Sequence, residues 1–273
     1  MGLFWKNYNT PGKGVSKNEP EKRGFFRFFE LFFRNFWTLF SCEMLYLLLS
    51  IPVLTSGLAN VGMTYVCRMA SKDKHIFPVS DFFDAIKKNW KRALSLGIIN
   101  TVVTLILAAD LYVLYVYTSQ GIMSNLWGGI VFVASMFFFV AYSFAQFYQY
   151  TLMITFDFKL KDIIKNSWLF ATLGIKHNLI IGATLVAIYF VAWVLICNFG
   201  IGLWIVSIIG LFIFPIFRFM LIQFNVFPEI KKYIIDPYYA EHPDEDIEKR
   251  RQLGLINTNE DAVFDDNVPE GSD

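Results

Sequence analysis

The chain is 273 residues long, 55% apolar and only 17% charged, with 30 Phe and a formal net charge of +1. Soluble domains usually carry about 25% charged residues, so an ordinary soluble fold is excluded and nucleic acid is not an expected partner. The apolar residues gather in long runs: residues 126–156 contain 31 residues without one charge, where about 20 suffice to cross a bilayer. The fold class expected is all-α, a polytopic membrane helix bundle.

Residues 1–35 are polar, basic and punctuated by Pro11 and Pro20. They lack the apolar core of a secretory signal and are read as a cytoplasmic N-terminal and juxtamembrane segment. The transmembrane domain is expected over 36–230, with six spans at about 36–54, 55–71, 93–118, 126–156, 178–197 and 199–224. The second is weak, because only about 20 Å of helix separates Thr55 from Arg68. It crosses if Arg68 snorkels to the interface, and otherwise makes a shallow hairpin with the first. Both options return the chain to the side it left.

The basic residues orient this bundle. All 24 Lys and Arg fall in four stretches, before residue 35, at 68–92, at 159–176 and from Arg218 onward. The connections at 119–125 and 198–200 hold none. Short Lys- and Arg-rich loops stay on the cytoplasmic side, which places both termini there, and the basic membrane body suits an anionic inner leaflet.

Two cytoplasmic connections read as amphipathic surface helices, at about 81–92 and 160–171. Phe82, Phe83, Ile86 and Trp90 recur at helical spacing with Lys87, Lys88, Lys91 and Arg92 on the other face. Such a helix lies in the headgroup region with its aromatics down, or it packs under the bundle as a plain connector. The pattern returns 78 residues later: Asp84, Ile86, Lys87 and Trp90 match Asp162, Ile164, Lys165 and Trp168, and Leu96-Gly97-Ile98 matches Leu173-Gly174-Ile175. Phe82, Phe83, Ile86, Trp90, Ile164 and Trp168 are therefore the candidate membrane-interface residues, and the repeat suggests a parallel duplication.

From Asp236 to the end, 12 acidic residues face three basic ones, a net of −9. Residues 236–273 are expected to form an acidic, disordered cytoplasmic tail. No catalytic, cofactor or metal motif emerges: the three His and three Cys show no ligand spacing, and an enzyme is not expected. Ionisable and amide groups at bilayer depth are the better clues. They are Glu43 in span one, Asp110 in span three, Tyr142, Gln146 and Gln149 on one face of span four, and Arg218 near the inner end of span six. They would either form a polar path or tie the bundle together by interhelical hydrogen bonds.

The stretches FFELFFRNFW at 28–37, YLLLSIPVLTSG at 46–57, MTYVCR at 63–68 and DFFDAIKKNW at 81–90 resemble the YesL family of bacterial integral membrane proteins, a domain of unknown function. The resemblance is densest over 24–100 and extends loosely to about residue 235. It departs at Gly57-Leu58-Ala59, where relatives usually have Gly-Pro-Ala, and at Glu43, where many have Asn. It implies a Gram-positive-type plasma-membrane protein often encoded beside carbohydrate uptake systems, and supplies no functional residues. An accessory or regulatory component of carbohydrate uptake leads the expectations, with ABC-transporter or sensor-kinase subunits as partners. A transporter or channel in its own right, built as a homo-oligomer, and a structural membrane-organising protein are the alternatives.

Overall fold

The computed structural model describes residues 24–121, 125–198 and 202–242, and among these every regular element is helical. In chain order they are α1 (Phe25–Arg34), α2 (Phe36–Ser50), α3 (Ser56–Ser71), α4 (Pro78–Ser119), α5 (Asn125–Thr155), α6 (Leu160–Leu173), α7 (Ile175–Asn198), α8 (Gly202–Phe212), α9 (Phe214–Ile230) and α10 (Asp236–Glu241). A single 3₁₀ turn, Val53–Thr55, follows Pro52, and a π-helical turn, Lys231–Ile235, joins α9 to α10.

Three helices, α4, α5 and α7, are long and apolar enough to cross a membrane. Helices α8 and α9 make a fourth crossing if the pair, bent by 47°, counts as one span. The bend falls where Pro215 opens α9, since proline removes a helical donor and clashes with the preceding turn. Helix α2 is apolar but only 15 residues long.

The first amphipathic segment is not a separate surface helix. Residues 78–119 form one continuous helix of 42 residues, roughly 63 Å at 1.5 Å per residue. Neither Pro nor Gly interrupts the step from Arg92 to Ala93, so nothing ends the helix where its polarity changes. Phe82 and Ile86 face protein rather than headgroups: both are buried, and the Phe82 ring lies against Gly62 of α3. The second segment, α6, does end before its span, at Gly174, where the Tyr148 hydroxyl occupies the space a side chain would take.

The core is concentrated toward the end of the bundle where α1, α2, α3, the charged half of α4, the C-terminal half of α5 and α9 meet. Helix α1 docks through Phe28, Leu31 and Phe32, with the Phe28 ring 5.3 Å from Phe217 and 5.6 Å from Phe224. Arg27 and Arg34 of α1 both pair with Asp73 in the α3–α4 loop. Toward the opposite end α4, α5, α7 and α8 leave large apolar side chains exposed, among them Leu105, Tyr112, Phe137 and Trp204. That distribution is compatible with a bundle whose apolar half lies in a membrane. The tail expected to be disordered from residue 236 begins instead with α10, and its remainder, 243–273, lies outside the described residues, as do 1–23.

Candidate functional site

Several polar side chains of α2, α3, α4, α5 and α9 converge at the centre of the bundle. Asn100 of α4 donates through Nδ2 to Gln149 Oε1 at 2.7 Å and accepts from the Tyr142 hydroxyl at 2.8 Å. One turn further along, Gln146 Nε2 donates to Thr104 Oγ1 at 3.1 Å. On the other side the Tyr46 hydroxyl donates to Asn60 Oδ1 at 3.4 Å, and Asn60 Nδ2 donates to the Tyr150 hydroxyl at 3.3 Å. Gln223 Nε2 of α9 donates to Thr151 Oγ1 at 2.8 Å, and Arg68 Nη1 to Thr155 Oγ1 at 2.7 Å. Five helices are tied by these bonds, each of which satisfies groups that lipid could not.

The geometry depends on a close crossing. A Cβ built on Gly57 of α3 would lie 2.8 Å from the Gly97 Cα of α4, so the two backbones meet where only glycine fits. Beside this contact lies a cavity of about 80 Å³ lined by Asn60, Asn100, Gln146, Tyr150, Arg218 and Gln223. Gln223 Oε1 is buried there and has no hydrogen-bond partner.

Of the sequence-predicted residues, Tyr142, Gln146 and Gln149 of α5 are brought together against Asn100 and Thr104 of α4, and Arg218 reaches the cavity rim. Asp110 is exposed on the outer half of α4, away from the cluster. Glu43 is fully buried on α2, and neither carboxylate oxygen has a hydrogen-bond partner; it does not line the cavity. Arg68 turns inward instead of snorkelling: it is 6% exposed and its guanidinium lies 4.7 Å from the Phe227 ring centroid. Of the interface candidates, Trp90 and Trp168 are exposed, while Phe83 and Ile164 are half-buried against the core. Asn60, Asn100, Thr104, Tyr150 and Gln223 were not expected. An amide inside an apolar run was the available signal for Asn60, Asn100 and Gln223. Among the described residues no three His, Cys, Asp or Glu gather to hold a metal ion.

A second concavity lies at the charged end. A groove of about 570 Å³ runs between the N-terminal half of α4, the α5–α6 turn and the 234–239 segment. Lys88, Arg92, Asp157, Ile234, Tyr238 and Tyr239 line it. Arg92 shapes its wall: Nη1 donates to Asp157 Oδ1 and to the Phe158 carbonyl, both at 2.8 Å, and Nη2 to Asn89 Oδ1 at 2.7 Å.

Fold and site together define an all-helical protein with apolar helices compatible with a membrane and a polar centre tied across them. Residues 31–111, from the end of α1 to the outer part of α4, match the model of a family described as "Protein of unknown function, DUF624". No curated protein and no solved structure matches the chain significantly.

Proposed function

We propose that this chain is an accessory or regulatory subunit of a carbohydrate-uptake system in a bacterial plasma membrane, without catalysis of its own. In this reading it crosses the membrane about six times, with α2 and α3 as a short pair of crossings and both termini in the cytoplasm. The DUF624 match covers the stretch whose residues resemble the YesL family, and that resemblance implies the setting beside carbohydrate uptake.

The observation that carries the choice between subunit and transporter is a contrast of volumes. The polar cavity at bilayer depth measures about 80 Å³, far below the ~300–1,000 Å³ of sites that enclose small molecules. Its amides and hydroxyls are largely spent on one another. The charged groove, at about 570 Å³, has room for a partner element. It mixes aromatic, cationic and apolar lining, a composition suited to a protein contact.

Affinity capture from native membranes tests this reading. Transporter or sensor-kinase subunits should be recovered with the unaltered chain and reduced with Lys88→Glu/Tyr238→Ala. Recovery of nothing but the chain itself, together with sugar flux in proteoliposomes that Gln146→Ala abolishes, would instead make it a transporter.

A further inference from the structure

Between α7, α9 and the start of α1 lies a cleft of about 680 Å³ whose lining is almost wholly apolar. Its walls are two facing stripes. On α7 they are Ile180, Thr184, Ala187, Ile188 and Val191, and on α9 they are Phe217, Leu221, Phe224 and Asn225. Each stripe recurs at three- and four-residue intervals, so each is one helix face turned toward the other across the cleft. Phe25 and Phe29 of α1 close the third side.

From Ile180 to Val191 the α7 stripe rises about 16 Å, close to half of a ~30 Å hydrocarbon core. That is the depth one leaflet's acyl chains reach. The end of the cleft nearest Asn225 and Ile180 is also its polar end. There His177 Nδ1 of α7 pairs with Glu229 Oε1 of α9 at 2.8 Å, and Lys176 stands exposed beside them. Past the opposite end the Tyr189 ring of α7 lies 5.1 Å from Phe214 of α9, and Phe190 and Trp193 are exposed apolar residues. A slot one leaflet deep, apolar along its length and with an exposed lysine near its polar end, has the shape and charge pattern of a phospholipid.

We propose that this cleft is a binding site for one anionic phospholipid, with an acyl chain lying between α7 and α9 beneath α1 and the phosphate beside Lys176. The lipid would complete the packing of α7, only 6% of whose apolar window is buried within the chain. The proposal rests on the membrane-spanning reading but not on the uptake role.

The test uses full-length protein purified in mild detergent, with native mass spectrometry against phosphatidylglycerol and phosphatidylcholine and a chain-diazirine phosphatidylglycerol for mapping. One phosphatidylglycerol should be retained, and photolabel should concentrate on Thr184, Ala187 and Phe224 rather than on Val186, which is 67% exposed and faces away from the cleft lining. Ala187→Trp, which fills the open cleft, should abolish retention while Val186→Trp preserves it. Lys176→Gln should cut the preference over phosphatidylcholine about fivefold, the worth of one well-placed cation near an anionic headgroup. Uniform labelling of α7, retention unchanged in Ala187→Trp, or equal binding of the two lipids would overturn the site. Partner capture is unaffected by any of these outcomes, so the two proposals fail separately.

Discussion

Gly57 and Gly97 decide how closely α3 and α4 cross, and the polar network follows from that distance. A Cβ on Gly97 would meet the Gly57 Cα at 2.6 Å and its nitrogen at 2.7 Å, both backbone atoms that cannot rotate away. Gly97→Ala should therefore destabilise the protein by about 1–3 kcal/mol through forced separation, read as a lower midpoint in detergent melts. Gly129→Ala, where the added methyl meets nothing within 4 Å, should be neutral or slightly stabilising because alanine favours helix. The contact was half visible in sequence: Gly97 stood out by its match to Gly174, but nothing in the chain said that Gly57 would face it. Lys72, at the end of α3 beyond the apolar segment, offers a second test. Burial pushes it down to about 6, with Arg68, Lys74 and Lys231 adding like charge, while its ammonium lies 3.7 Å from the Phe227 ring centroid. The unfolded chain binds this proton up to the ordinary lysine range and the folded chain does not. Stability should therefore rise with pH from about 6 toward 10.5. Melts at pH 5.5 and 8 should show the higher midpoint at pH 8, and Lys72→Met should shrink the difference. No change in that difference would remove Lys72 as its source.

At the scale of elements, hydropathy picked out the apolar stretches that form α5 and most of α7, although α7 begins at Ile175, three residues before the apolar run expected from Asn178. Helix α4 shows where such reading stops. Charge ends at Arg92 and apolar sequence begins at Ala93, which looks like a junction, yet no residue there breaks a helix. The boundary was one of polarity and not of backbone. What fixes the charged half of α4 is packing on α3 through Phe82 and Gly62, and the Arg92 clamp on the α5–α6 turn. That clamp is asymmetric. The Asp157 side chain is 95% exposed, so its ion pair contributes little, whereas Arg92 also holds the Phe158 carbonyl and Asn89. Arg92→Ala should speed amide exchange across residues 156–160 strongly, and Asp157→Asn should barely alter it. Equal effects would mean that the ion pair, and not the carbonyl contact, anchors the turn. The network legible on α5 as Tyr142, Gln146 and Gln149 found its partners on α4 for a related reason. Periodicity gives a face, but only the crossing at Gly57 and Gly97 says which helix that face meets.

The whole molecule has to be set in a membrane by its own dimensions. A continuous α4 of roughly 63 Å exceeds even the 40–45 Å of bilayer plus headgroups, so about 20 Å of it must project into water. Its charges decide which end. Lys87, Lys88, Lys91 and Arg92 all lie in the first 15 residues, and the remainder carries Asp110 alone. The projecting end is thus the densely packed one, where α1, the α5–α6 turn and α10 gather, and the bare apolar end is left to lipid. On the positive-inside rule the proposed reading sets the packed end in the cytoplasm, with the groove beside Lys88 and Arg92 open to the proposed cytoplasmic partners. Single cysteines decide the orientation. Cys42 and Cys67 are buried and silent, and Cys197 is exposed and is first replaced by Ser. In that background a cysteine at Ser124 should react with an impermeant thiol reagent applied to intact cells, while one at Lys88 should react only after permeabilisation. The reverse pattern would turn the groove outward, removing cytoplasmic subunits as its partners, while the lipid cleft would keep its geometry and face the other leaflet.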